Sequence, residues 1–183
     1  MARIAYITED TVDPELDFMF GEGKPRNISG LMAHARNNAV PLSDYLLSLL
    51  SKQKLDPQIR EMCILYTARL TDCSYEWVQH ESFARVVGLA ESDVAAIADL
   101  PDPSQHFEGL AAAALRLTKQ LVTTGTADAE NIEAVLTRSS ECELAELILA
   151  VVSYQGLATF MRALAIDPEE SMPSTAASGM IAS

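Results

Sequence analysis

The sequence predicts an all-α fold in a single domain. Apolar residues recur three and four positions apart along most of the chain, which is the spacing of a helix that buries one face. Helix-start signals such as Asp56-Pro57 interrupt this pattern, and no stretch keeps the alternation of apolar and polar residues typical of a strand. With 183 residues, of which 49% are apolar, the chain can bury a core of its own.

Composition divides the chain into three parts. Proline and glycine punctuate residues 1–28, so we predict an irregular N-terminal segment there. A helical domain is predicted over residues 29–168. Ser, Ala, Gly, Met and Pro dominate residues 169–183, and we expect them to form a flexible C-terminal tail.

The domain is predicted to contain a series of helices. Most of them begin at a capping residue or a proline, and several end at a glycine or before a proline. The last helix is apolar over most of its length, which predicts that it lies deep in the core. The predicted helices are 29–37, one beginning at Pro41, 57–71, 74–88, 91–98, 107–123, 128–138 and 141–165.

Charge and hydropathy argue against several classes of protein. Lys and Arg number 13 against 26 Asp and Glu, and the resulting net charge of −13 repels phosphate backbones and anionic membrane surfaces. Apolar runs such as 147–152 are far shorter than the roughly 20 residues of a membrane span. The N-terminus lacks the apolar stretch of a secretory signal. We therefore expect a cytoplasmic protein that binds neither nucleic acid nor membranes.

Cysteines and histidines are too few and too scattered to predict a metal site. No two cysteines form a Cys-x-x-Cys pair, and their odd number argues against a secreted disulfide scaffold. The sequence therefore predicts no metal and no other cofactor. The cysteines are Cys63, Cys73 and Cys142, and the histidines are His34, His80 and His106.

The first candidate site residue is Glu61, on the helix that begins at Pro57. That helix is apolar nearly all round, so the Glu61 carboxylate is expected to lose its water and must find a partner or raise its pKa. A structural role is one interpretation, in which Glu61 forms an ion pair with Arg69 or Arg116. A catalytic role is the other.

The next helix carries ionisable groups on a face that should point inward. Its charged pair Glu81 and Arg85 falls on the opposite side, where solvent is expected. Ionisable side chains directed into a helical core, next to a third from the preceding helix, form a candidate acid–base site. The residues that share the inner face are Cys73, Glu76, His80, Phe83 and Val87.

Each candidate also has a structural interpretation. The role of Glu76 could be limited to stabilising the helix N-terminus. His80 could be a core histidine bonded to Glu76, and Cys73 could be an inert buried thiol. The position of Cys73 near a helix N-terminus, with His80 close by, would instead lower its pKa and make it reactive. Cys63 and Cys142 are predicted to be structural. Weaker candidates for substrate binding are Tyr75, Trp77, His34 and Tyr154.

Residues 60–88 resemble the core of the carboxymuconolactone decarboxylase and alkylhydroperoxidase-D superfamily. The resemblance rests on the pair Arg60-Glu61, a gap of eleven residues, and then the run Cys73-Ser74-Tyr75-Glu76-Trp77 followed by His80. Residues 27–38 and 143–168 are similar to helices that flank this core, so the resemblance extends over residues 3–168. It implies an all-helical bundle of the alkylhydroperoxidase-D-like type that forms homo-oligomers, either dimers, trimers or hexamers.

One position departs from the family's pattern. The thiol-peroxidase branch uses a glutamate, a Cys-x-x-Cys pair and a histidine, which correspond here to Glu61, Cys73 and His80, but Glu76 stands in place of the second cysteine. A cycle through an internal disulfide therefore has no second sulfur. The family's decarboxylase branch works through acid–base residues, and the gain of a carboxylate favours that branch.

Three functions follow as alternatives. The first is an acid–base enzyme that catalyses decarboxylation, isomerisation or a related proton transfer on a small organic substrate, with Glu61 or Glu76 as the base and His80 as proton relay. The second is a single-cysteine peroxidase or thiol oxidoreductase that uses Cys73 and an outside thiol. The third is a non-catalytic scaffold, which would leave Glu76 and His80 facing bulk solvent without a cavity.

Overall fold

The computed structural model describes residues 1–20, 26–169 and 177–179, and these form helices and loops without a strand. The prediction of an all-α fold is confirmed. Short 3-10 helices occur at Pro14–Met19, Ala33–Ala35 and Pro103–Gln105. The α-helices are α1 (Arg26–Met32), α2 (Arg36–Ser51), α3 (Pro57–Leu70), α4 (Ser74–Val86), α5 (Glu91–Asp99), α6 (Gly109–Thr124), α7 (Ala129–Leu136) and α8 (Glu141–Ala163).

Helix α3 lies at the centre of the bundle. It begins as predicted, because the Asp56 side chain accepts hydrogen bonds from the backbone N–H groups of Gln58 and Ile59, and Pro57 occupies the first helical position. Every residue from Arg60 to Ala68 is buried, and the helix packs against α4, α6 and α8. A polar side chain on this helix must therefore find its partners inside the protein.

Helix α4 follows α3 after a tight connection of three residues. Asp72 adopts a left-handed backbone conformation with φ of 54°, and Cys73 is the N-cap residue of α4. The short connection lays α4 against α3, so that the inner face of one helix meets the other. The outer face carries the ion pair between Glu81 and Arg85, as the sequence predicts.

The prediction that a helix begins at Pro41 is wrong. Helix α2 begins at Arg36, after the 3-10 turn at Ala33–Ala35, and Pro41 lies in its second turn. A proline this close to the N-terminus forgoes a single hydrogen bond to the carbonyl four residues back, and it keeps a helical φ. The ring therefore does not stop a helix that begins just before it.

Helix α8 is less deeply buried than its composition predicts. Its inner face packs through residues such as Leu147 and Val151, but its outer face leaves Leu149 and Val152 46% and 44% exposed. Among the described residues it is the helix with the length and hydropathy of a membrane span, although these properties alone also fit a bundle helix. Apolar residues on both faces cannot reveal from sequence which face the fold covers.

The N-terminal segment folds back on the bundle. The 3-10 helix Pro14–Met19 buries Leu16 and Met19 against α1 and α2. Ile7 donates a backbone hydrogen bond to Gly30, where a Cβ atom would lie only 2.6 Å from the Ile7 carbonyl oxygen. This segment supplies one wall of the cavity described below. Most of the predicted tail lies outside the described residues.

Candidate active site

A buried ion pair and a histidine connect α3 to α4. The Nε atom of Arg60 donates a hydrogen bond of 2.9 Å to Oε1 of Glu61, and Nδ1 of His80 lies 2.8 Å from Oε2 of the same carboxylate. Glu61 is completely buried and both its oxygens are engaged. The structural interpretation of the sequence named Arg69 or Arg116 as the partner, and this was wrong, because Arg69 donates instead to the carbonyl of Ile97.

The ring of His80 is held on two further sides. It stacks on Phe83 with ring centroids 5.1 Å apart, and Tyr154 of α8 approaches it edge-on at 4.7 Å. Burial raises the pKa of Tyr154 well above its ordinary value, and the nearby charge of Glu61 raises it further, so the phenol stays neutral. The imidazole is thus fixed in orientation by one carboxylate and two aromatic rings.

Glu76 has an entirely different environment from Glu61. It is 2% exposed, and neither carboxyl oxygen meets a hydrogen-bond partner in the described part of the chain. Burial raises its pKa well above that of an ordinary glutamate. The cause of this shift is the loss of water on burial rather than the charge of Glu61.

A cavity of about 270 Å³ adjoins His80 and Glu76. Most of its wall is apolar, and residues from the N-terminal segment, α1, α2, α4 and α8 contribute to it. The polar side chains of the wall are Ser29, Ser43, Asp44, Tyr75, Glu76, Gln79, His80 and Tyr154. The apolar ones are Phe18, Met19, Ile28, Met32, Leu46, Leu47, Leu50, Phe83, Leu157 and Met161.

Cys73 lies close to Glu76 in sequence but is not part of the cavity wall. Its side chain is buried in an apolar cluster with Ala158 and Met161. Burial raises the pKa of the thiol to about 11, which outweighs the lowering effect of the backbone N–H of Glu76. The lowered pKa expected for a reactive thiolate at a helix N-terminus is therefore not found in this environment.

The weaker sequence candidates divide into two groups. Tyr75 and Tyr154 line the cavity. The Tyr75 hydroxyl also hydrogen-bonds Glu169 and accepts from the backbone N–H of Ile28. His34 and Trp77 do not reach the cavity wall. His34 is exposed with Nε2 2.7 Å from the Ala5 carbonyl, and Trp77 packs beside α3 and donates to Glu81.

The two remaining cysteines also differ from each other. Cys63 is buried in the core, where burial raises the pKa of its thiol to about 12, in agreement with a structural role. Cys142 is exposed in the first turn of α8, which does not fit the structural role predicted for it. Among the described residues, no group of three His, Cys, Asp or Glu side chains is arranged to hold a metal ion.

Sequence reasoning missed several parts of the site. Arg60 entered only through the family motif, although it is the cation that pairs with Glu61. Gln79 lines the cavity one position before His80, and a helical wheel could have placed it near Glu76. Nothing in the sequence indicated that Phe18 and Met19 belong to a site, because the apolar residues of the N-terminal segment follow no regular helical spacing.

Part of the chain matches a known protein family. Residues 41–120 match the sequence profile of the Carboxymuconolactone decarboxylase family. This stretch of the chain resembles that family. The resemblance inferred from residues 60–88 is thereby confirmed. No protein of curated function matches the chain.

A solved structure shares the fold of this protein. It is the crystal structure of an alkylhydroperoxidase AhpD core, an uncharacterized peroxidase-related protein from Ralstonia eutropha JMP134. The two chains superpose with a TM-score of 0.77 over 92% of each chain, at 16% sequence identity. Similarity at this level of identity shows that the two proteins share a fold, and it transfers no activity to this chain.

Proposed function

We propose that this protein is a proton-transfer enzyme acting on a small organic molecule bound in the cavity. The observation that carries the proposal is the pairing of two unlike groups at one cavity wall. His80 is held by the ionised Glu61, and Glu76 lies four residues away with no partner for its carboxyl group.

His80 has the setting of a general base. An ionised carboxylate only accepts hydrogen bonds, so the contact with Glu61 requires the proton of the neutral imidazole to lie on Nδ1. Nε2 then carries the lone pair that can take a proton from a substrate. When the ring becomes positively charged, Glu61 stabilises it at a distance of 2.8 Å, which is the role of a carboxylate behind a catalytic histidine.

Glu76 has the setting of a general acid. Because burial raises its pKa, the side chain is a neutral carboxylic acid at a pH where exposed glutamates are ionised. A neutral acid donates a hydrogen bond, and its proton stabilises negative charge that develops on a substrate oxygen. Of the two carboxylates that the sequence offered as the base, neither takes that role here, since Glu61 orients the base and Glu76 is the acid.

The competing functions receive less support. A peroxidase mechanism needs an accessible thiolate, and Cys73 is buried and does not line the cavity, with the pKa of its thiol raised to about 11. A non-catalytic scaffold would leave Glu76 and His80 in bulk solvent, whereas both are buried beside a cavity. The acid–base alternative is the one for which the geometry provides both a base and an acid.

Hydrogen–deuterium exchange tests the proposal without knowledge of the natural substrate. Acetophenone, cyclohexanone and mandelate are incubated with the protein in deuterium oxide, and mass spectrometry follows deuterium incorporation next to the carbonyl group. The wild type should accelerate exchange for at least one of these carbon acids. His80→Asn, whose amide can still donate to Glu61, should lower the rate by about 10²- to 10⁴-fold.

The matched control is His106→Asn, because His106 is an exposed histidine that pairs with Asp93 and does not line the cavity. This variant should exchange at the wild-type rate. Absence of exchange for all three probes, or equal rates in wild type and His80→Asn, would contradict the proposed function.

A further inference from the structure

The charges around the cavity restrict what it can bind. Among the described residues of its wall there is no lysine and no arginine. Arg60 is buried in its ion pair with Glu61 and does not line the cavity. The ionisable acids of the wall are the exposed Asp44 and the buried Glu76. While His80 is neutral, a carboxylate or phosphate that entered would find no opposite charge among the described side chains of this wall.

The polar groups of the wall suit an uncharged ligand with a hydrogen-bond acceptor. Glu76 lies beside the cavity with both oxygens unpaired, and a buried acid group without a partner is costly unless a ligand or water supplies one. Gln79 and Ser29, also buried, add only neutral groups to the wall. The remainder is dominated by aliphatic, methionine and phenylalanine side chains, which favour an apolar body.

The size of the cavity limits the ligand as well. A volume of about 270 Å³ lies just below the roughly 300–1,000 Å³ typical of ligand pockets. It therefore suits a small ligand such as one substituted ring.

We propose that the ligand of this cavity is an uncharged, mainly apolar ketone or related carbonyl compound of one-ring size, and that a carboxylate of the same shape is rejected. This inference rests on the proposed function, and it favours isomerisation over decarboxylation because the substrate of a decarboxylase carries a carboxylate. Glu76 binds the carbonyl oxygen of the ligand, and His80 faces the carbon next to it.

The proton transfers balance without any further reactant. His80 Nε2 removes a proton from the carbon next to the carbonyl, and the electron pair of that C–H bond forms a C=C bond. The carbonyl π electrons move to oxygen, where the Glu76 proton stabilises or protonates it. In a ligand whose C=C bond is conjugated with this enolate, the imidazolium returns the proton to the far carbon of the conjugated system, any proton given to the oxygen returns to Glu76, and the re-formed carbonyl compound is the isomer.

A pair of probes with matched size tests the inference by binding alone. Acetophenone and benzoate are nearly equal in size, and they differ in that one carries a neutral carbonyl and the other a carboxylate. Isothermal titration calorimetry and ligand-observed NMR at pH 7 should show that benzoate binds at least about tenfold more weakly than acetophenone, since its charge would be desolvated without a cation. Equal or tighter binding of benzoate would overturn the inference.

Two variants of Glu76 assign the contact. Glu76→Gln keeps a neutral donor in place, so acetophenone affinity should stay within about threefold of wild type. Glu76→Leu removes the donor and should weaken acetophenone by about threefold to tenfold. Equal affinity of all three proteins for acetophenone would overturn the role of Glu76 in binding.

The binding and exchange experiments test different claims, so either claim can be contradicted while the other stands. If acetophenone binds better than benzoate but its methyl protons do not exchange in the wild type, the ligand class stands and the proposed proton transfer is wrong. If benzoate binds as well as acetophenone while mandelate exchanges through His80, the proton transfer stands and the ligand class is wrong.

Discussion

The site contains two buried glutamates, one on α3 and one on α4, and their surroundings are opposite. On α3, Glu61 is completely enclosed but accepts from Arg60 and contacts His80, so its charge is compensated inside the protein. At the start of α4, Glu76 is enclosed to nearly the same degree and has no partner among the described residues. Burial alone therefore does not decide the charge of a carboxyl group, and the partners that surround it do.

The largest effect on stability is expected at Glu61, the glutamate that is paired. Glu61→Gln leaves the buried Arg60 guanidinium, whose Nη2 already has no partner among the described residues, without its anion. We expect the free energy of unfolding to fall by roughly 3–5 kcal/mol, measured by urea denaturation. Glu81→Gln is the control, because its pair with Arg85 is partly exposed and contributes about 0–1 kcal/mol. Equal losses in the two variants would show that the buried pair has no special weight.

A thiol-labelling experiment sharpens the contrast at the start of α4. With its pKa raised to about 11, Cys73 has a thiolate fraction of roughly one in a thousand at pH 8, and burial slows the reagent further. The exposed Cys142 serves as an internal control and should react first. In a Cys142→Ser variant the remaining thiols should react at least about a hundredfold more slowly, and rapid peroxide-sensitive labelling of Cys73 would favour the peroxidase alternative.

Glu76, the glutamate without a partner among the described residues, should make the stability of the protein depend on pH. The folded protein holds the Glu76 proton more tightly than the unfolded chain, so unfolding releases this proton. Above the unfolded pKa of about 4.3, the free energy of unfolding should fall as pH rises, by up to about 1.4 kcal/mol per pH unit, until the raised pKa of the folded state is passed.

Glu76→Gln cannot ionise and should lose this component of the pH dependence. Its stability relative to wild type should increase from about pH 4 toward neutrality, as measured by urea denaturation at several pH values. Parallel pH profiles of Glu76→Gln and wild type would mean that Glu76 titrates as an exposed glutamate does.

The smallest effect on stability is expected at Ser140, which does not line the cavity. Ser140 caps α8 by accepting from the backbone N–H of Glu143, and the Glu143 side chain accepts from the N–H of Ser140. Ser140→Ala should lower the free energy of unfolding by about 1 kcal/mol. Acetophenone affinity should not change, and a change would indicate that α8 positions Tyr154 less rigidly than its packing suggests.

Local signals in the sequence account for the elements that were predicted well. The start of α3 was predictable because Asp56 and Pro57 act within their own turn, and the inner face of α4 was predictable because Glu76, His80 and Phe83 share a helical stripe. The bounds of α5 and α7 followed from similar local patterns.

Features that depend on distant contacts were not predictable in this way. Arg60 and Glu61 are adjacent in sequence, and adjacent residues on a helix do not normally face each other, so their pairing depends on how the surrounding helices force the arginine to turn. The cavity could not be predicted because its walls come from the N-terminal segment, α1, α2, α4 and α8. The exposed face of α8 depends on which helices the fold places beside it.

The protonation state of Glu76 is the most direct test of this account. Carbon-13 NMR of protein labelled at the glutamate carboxyl carbon can follow each group through a pH titration, and the resonance that disappears in Glu76→Gln assigns Glu76. We predict that this resonance keeps the chemical shift of a protonated acid at pH values where the exposed glutamates, which titrate near pH 4.3, are already ionised. A Glu76 resonance that titrates together with the exposed glutamates would contradict the assignment of Glu76 as a neutral acid and, with it, the proposed division of roles between the two carboxyl groups.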